Sequence, residues 1–169
     1  GSEPGQNGEK SNVTADFTSE GRLVWADTAQ GRVQVFKTSL VSTNAKAVIV
    51  AGGGSDASNL LWNATLQHAN LAYRTLMHQG YTREQIYFLS EEAVDFNGDG
   101  QNDELFAPAN KENLSLAFTD WAQDADELLV YLVDHGGVDS FRLSQTATVS
   151  ASEIDSALDS FSGKTTIVY

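Results

Sequence analysis

From Lys46 onward, short and wholly apolar runs alternate with longer stretches in which apolar residues recur at helical spacing. Ala47-Val-Ile-Val-Ala51 contains no polar position, the pattern of a strand buried on both faces in a parallel sheet, and it ends in Gly52-Gly53-Gly54. Asn59–Gln79 then sets Leu61, Leu66, Ala69, Tyr73, Leu76 and Met77 at helical spacing, with Gly80 as a C-terminal stop. Gln85–Leu89 reads as a second strand. A second helix over Asn110–Gln123 is led by Leu114, Ala117, Phe118 and Trp121. Glu127–Val133 reads as a third strand, ending at Asp134-His135-Gly136-Gly137, and Phe141–Leu143 has the pattern of a further short one. Ser150–Phe161 predicts a helix that opens on the capping-box pair Ser150 and Glu153 and stops at Gly163; Thr165–Tyr169 is a fourth strand. Strands alternating with helices predict an α/β fold, with a mostly parallel sheet, right-handed crossovers and helices on both faces.

The chain before Lys46 has another character. Gly1–Glu20 is rich in Gly, Ser, Asn and acids and reads as a disordered leader or linker. Arg22–Trp25 and Arg32–Thr38 alternate apolar and polar residues around the turn-rich Ala26–Gly31, a hairpin pattern. Residues 1–45 are thus expected to be a leader with a hairpin, either a linker or the tail of a preceding β-domain. Residues 46–169 form the main domain, with a polar insertion at residues 90–108. The chain stops at the end of its fourth strand, which reads as a truncation or cleavage point.

Composition narrows the chemistry. The 169 residues include no Cys, which excludes a disulfide scaffold, a zinc ribbon, an iron–sulfur site and a cysteine nucleophile within this chain. The net charge of −13 is carried wholly by the second half: residues 1–90 hold seven acids and seven bases, residues 91–169 sixteen acids and three bases. Such a surface repels phosphate backbones and anionic lipid, so nucleic acid is not an expected partner. The longest apolar runs fall far short of the roughly 20 residues of a membrane span, so no membrane insertion is expected. The three glycines lack the Lys-Ser/Thr or the Gly spacing of a nucleotide loop, and no organic cofactor is expected.

In open α/β sheets ligands bind beyond the carboxyl ends of the strands. Two such ends carry notable loops here, Gly52–Ser58 and Asp134–Ser140. His135 stands just past an apolar strand, before two glycines that let the backbone turn sharply, and imidazole suits acid–base work near neutrality. His68 and His78 fall within a helix and are read as ordinary helix residues. Asp56, Asp134 and Asp139 could favour a basic substrate side chain or could be solvated loop charges; the second reading is preferred. In the insertion, Asp95, Asn97, Asp99, Gln101 and Asp103 follow the spacing of a calcium loop, with Gly100 at its sixth position. Phe106 stands where an EF-hand has its bidentate Glu, so the loop is incomplete by that standard and needs Glu104 or a water. A structural Ca2+ of weak affinity is the expectation.

Lys46-Ala-Val-Ile-Val-Ala-Gly-Gly53, the helix with Ala72-Tyr73 and His78-Gln-Gly80, Leu129-Val-Tyr-Leu-Val-Asp-His-Gly136, and Lys164-Thr-Thr-Ile-Val-Tyr169 form a pattern along the chain. It resembles the legumain-type cysteine peptidases of the caspase-like clan and, more narrowly, their bacterial secreted relatives. The resemblance covers Lys46–Tyr169. It implies a caspase-like three-layer sandwich and hydrolysis of a peptide or protein substrate by a Cys–His dyad. His135 would be the catalytic base and then acid, and the Gly136 N–H an oxyanion donor. In that family the fourth strand runs on to the nucleophilic Cys, which would fall two or three residues beyond Tyr169. It would lie on the remainder of this chain or on a processed second chain. The Arg-His pair of legumains that cleave after Asn has no counterpart around Asn63-Ala-Thr65, so that preference is not implied. A secreted, periplasmic or cell-surface location is expected. The alternative is a non-catalytic, calcium-stabilised binding or regulatory module with the same fold.

Overall fold

The computed structural model describes residues 44–96, 98–102 and 106–169, together with the backbone of three strands nearer the start of the chain. The chain divides into two compact units, Gly1–Leu40 and Val41–Tyr169.

The first unit is an antiparallel sheet of β1 (Thr14–Phe17), β2 (Leu23–Ala29) and β3 (Arg32–Thr38), in that order. β2 and β3 stay in register from Leu23↔Thr38 to Ala29↔Arg32, so β2 continues through residues expected to turn. β1 lies inside the stretch expected to be a leader, pairing Thr14 with Ala26 and Phe17 with Leu23.

The second unit begins with β4 (Ala45–Ala51), α1 (Trp62–His78), β5 (Ile86–Ser90), β6 (Phe106–Pro108), α2 (Lys111–Leu116) and β7 (Glu127–Val133). It continues with β8 (Gly136–Gly137), β9 (Ser140–Arg142), β10 (Thr148–Ser150), α3 (Ala151–Leu158) and β11 (Lys164–Val168). Five strands form one parallel sheet in the order β11-β7-β4-β5-β6, and β10-β9-β8 make a small antiparallel sheet beside it.

β4 is buried along both faces because helices cover both. Ala47, Ile49 and Ala51 meet Trp62, Ala69, Tyr73 and Leu76 of α1 on one side. Val48 and Val50 share the other core with Leu114, Phe118, Ile154 and Phe161. The period-two alternation of a strand thus distributes one apolar run between two separate cores, and the result is a three-layer α/β arrangement.

α1 begins at Trp62, with Leu61 as its N-cap. Trp62, Thr65, Ala69, Tyr73 and Leu76 form its buried stripe, whereas Leu61 and Met77, expected on that stripe, are exposed. The helix expected over Asn110–Gln123 is a short α2, capped by the Asn110 side chain accepting from Asn113 N–H at 2.8 Å, followed by a π-turn at Ala117–Trp121. The edge strand β6 was not anticipated; its Pro108 lacks a donor, which an edge position tolerates. No helix among the described residues is long and apolar enough to cross a membrane.

The N-terminus of α3 carries the expected capping box. Glu153 accepts from Ser150 N–H at 2.8 Å and reaches across to Lys111 Nζ at 2.5 Å. These contacts, Lys111 foremost and then Ser150, hold its carboxyl down from 4.5 to about 2. A carboxyl whose pKa is depressed by folding stabilises the fold above its ordinary value and loses that contribution as pH falls towards the folded value. We therefore expect Glu153→Gln to lower the urea midpoint at neutral pH. The gap from the native chain should close as pH is lowered from 4.5 to about 2.

Candidate active site

The connection through α1 carries the chain from β4 to β5 on one side, and the chain later returns to β7 on the other side of β4. Strand order therefore reverses between β4 and β7, where the diverging loops leave a crevice at the carboxyl ends. Ala51 pairs with Val133, so Gly52 and Asp134 leave the sheet side by side. Gly52 N–H donates to Val133 O at 3.0 Å and Gly53 N–H to Arg142 O at 3.1 Å.

The three glycines exist for this close approach. A Cβ on Gly52 would lie 2.1 Å from Arg142 O, and one on Gly53 (φ +80) would lie 1.5 Å from Asp134 Oδ2. At Gly54 (φ +82) it would lie 2.4 Å from Glu91 Oε2. Glu91 follows β5 and accepts from Ser55 N–H at 2.5 Å, so three strand ends contribute to one site. Sequence reasoning missed Glu91; its signal was an acid directly after an apolar strand. Asn59 ties the loop to itself, its amide donating to Gly54 O at 2.9 Å.

His135 is half exposed, with Nδ1 2.5 Å from Asp134 Oδ1. The Asp134 side chain has no exposed surface, and its Oδ2 has no hydrogen-bond partner. Asp134 is thus not the solvated loop charge expected from sequence, because the missing side chain of Gly53 gives its carboxylate room inside. Asp56 is half-buried and Asp139 exposed. Ser58, through hydroxyl and backbone N–H, and Arg142 by its charge, hold the Asp56 carboxyl below the usual range. The Gln145 amide also bonds it. Asp139 takes φ +52 in the turn joining β8 to β9.

That hairpin orients Gly136. Arg142 N–H donates to His135 O at 3.2 Å, and Gly136 stands opposite Phe141. Antiparallel pairs alternate between bonded and non-bonded, so the Gly136 N–H is directed away from β9. Gly136 is exposed, on the same loop as His135. His68 and His78 lie exposed on α1, away from this loop in the chain, with His68 Nδ1 bonded to Ala64 O at 2.9 Å.

In the insertion, Asn97 and Asp103 lie outside the described residues, as does Glu104. Asp95 Oδ1 accepts from Gly98 N–H at 2.6 Å and Asp99 N–H at 3.2 Å, and Oδ2 from Gly100 N–H at 2.7 Å. Asp99 Oδ1 accepts from Gln101 N–H at 2.9 Å. Gly98 and Gly100 both have positive φ, which lets the backbone wrap round Asp95. Among the described residues, no three His, Asp or Glu side chains converge where they could hold a metal. Phe96 anchors the loop, buried against Phe88 and Tyr73 at ring separations of 4.5 and 4.9 Å.

No protein-family model matches this chain, and no curated protein matches it significantly.

Gly53→Ala should be costly on two counts, backbone strain at positive φ and overlap with Asp134, together about 2–5 kcal/mol. Gly80→Ala (φ +103), with nothing within 4 Å of its Cβ, should lose only the strain, about 1–2 kcal/mol. Urea unfolding of the two variants checks the difference; equal losses would show that the Asp134 contact is not tight.

Proposed function

We propose that the second unit is the His-bearing part of a legumain-type cysteine peptidase with a caspase-like fold, the thiol being supplied by residues beyond Tyr169. The observation that carries this reading is strand register. β11 runs parallel to β7 with Val168 opposite Tyr131, so a residue four positions past Val168 would stand level with His135. Neighbouring strands are about 4.8 Å apart, within reach of a Cys–His contact. The sequence resemblance expects the Cys at about that position.

The chemistry then follows from the groups present. His135 takes the thiol proton, and the thiolate attacks the scissile carbonyl carbon. Negative charge develops on the carbonyl oxygen, where the N–H of Gly136 can donate. Collapse of the tetrahedral intermediate breaks the C–N bond as His135 returns the proton to the leaving amine. Water, deprotonated by His135, hydrolyses the thioester and frees the acid and the thiol.

Extending the chain by the codons that follow Tyr169 in its gene tests this. A Cys within the first few codons and turnover of fluorogenic peptides are expected. His135→Ala should lower kcat/KM about a thousandfold or more with the circular dichroism spectrum unchanged. Absence of Cys, or activity retained in His135→Ala, overturns the reading and leaves a non-catalytic module.

A structural Ca2+ in the insertion belongs to the same proposal, with Asp95, Asn97, Asp99, Gln101 and Asp103 as its ligands. The backbone wrapped round Asp95 supports it. The melting temperature should rise in calcium and fall with chelator; no change rejects the ion.

A further inference from the structure

We propose that Asp134 is the positioning carboxylate of His135, selecting the Nδ1–H tautomer and leaving the Nε2 lone pair outward as the base. This deepens the peptidase reading, and rests on it only for the use to which that lone pair is put. Three observations carry it. Asp134 Oδ1 lies 2.5 Å from His135 Nδ1, and an ionised carboxylate only accepts, so their bond requires the hydrogen on Nδ1. The Asp134 side chain is fully buried whereas His135 is 47% exposed, so the carboxylate lies on the protein side of an otherwise accessible ring. Lastly, the other oxygen, Oδ2, is buried without a partner in the space that a side chain on Gly53 would fill. A buried carboxylate is costly unless hydrogen-bonded, and the ring of His135 is its side-chain partner among the described residues.

The preference has a direction that can be read. Histidine free in water favours hydrogen on Nε2, which would block that nitrogen as a base; Asp134 reverses the choice. An amide at position 134 can accept from Nδ1–H or donate to an unprotonated Nδ1, so it no longer selects.

The test is a long-range proton–nitrogen correlation spectrum of the 169-residue chain with 15N-labelled histidine. At about pH 8 an ordinary imidazole is neutral. His135 is assigned by the resonances missing from His135→Ala. His68, whose Nδ1 bonds a backbone carbonyl, is an internal reference remote in sequence from position 134. In the native chain His135 should show a protonated Nδ1 and a free Nε2. In Asp134→Asn the ratio of Nδ1–H to Nε2–H should fall about tenfold or more, the pattern of His68 remaining unchanged. A native ring that is mainly Nε2–H overturns the proposal and needs no variant, which matters if Asp134→Asn fails to fold. A folded Asp134→Asn chain with an unchanged His135 pattern overturns it equally. The peptidase reading is decided separately, by the thiol beyond Tyr169 and by turnover: it can fail with the tautomer intact, and the tautomer can fail in an active enzyme.

Discussion

The second unit depends on the position of β4, which bonds to β5 along one edge and β7 along the other and is covered on both faces. A strand so enclosed must be apolar at every position, and Ala47–Ala51 meets that demand. Because parallel crossovers are right-handed, leaving β4 in opposite directions puts α1 on one face and α2 on the other. The crevice at the carboxyl ends is a geometric result of that enclosure, independent of which residues later occupy it.

Within the crevice, proximity is obtained by removing side chains. Gly52, Gly53 and Gly54 make room for a carbonyl and two carboxylates from the loops that follow the neighbouring strands. Acids are consequently brought close to one another in a chain already strongly negative, and the local backbone N–H of Ser55 and Ser58 offset part of their charge. The hairpin β8–β9 adds a second clasp, its Arg142 bonding backward to His135 and sideways to Gly53.

β4, β5 and β7 were legible because each is a short apolar run, β11 because β-branched residues follow the Gly163 stop, and α3 because its capping box is a local device. β6 was not, since Phe106-Ala-Pro108 is too short to show a period. The start of α1 was read too early: Leu61 and Trp62 are both apolar, and only the tertiary contact of the indole with the sheet decides between them. The glycine run and His135 stood out as candidates from position alone. Asp134 did not, because an acid after a strand looks like any loop charge until a missing Cβ on a residue about 80 positions earlier is seen to shelter it. Nor was the anchoring role of Phe96 legible, since Asp95 and Asn97 on either side of it mark the spacing of a calcium loop, and only the tertiary contact with Phe88 and Tyr73 shows the ring to be core.

The pairing of β4 with β7 also governs when the crevice can exist during folding. Val48 meets Val130 about 80 positions later, a contact that closes much of the chain into a loop. Local elements such as α1 and the β8–β9 hairpin can form early, but long-range parallel pairing must first overcome that closure entropy. Gly53 and Asp134 therefore come together only once β7 has paired with β4. A nascent chain released before β7 has been made holds neither wall of the crevice against the other, so the crevice is a property of the whole sheet and of no local segment.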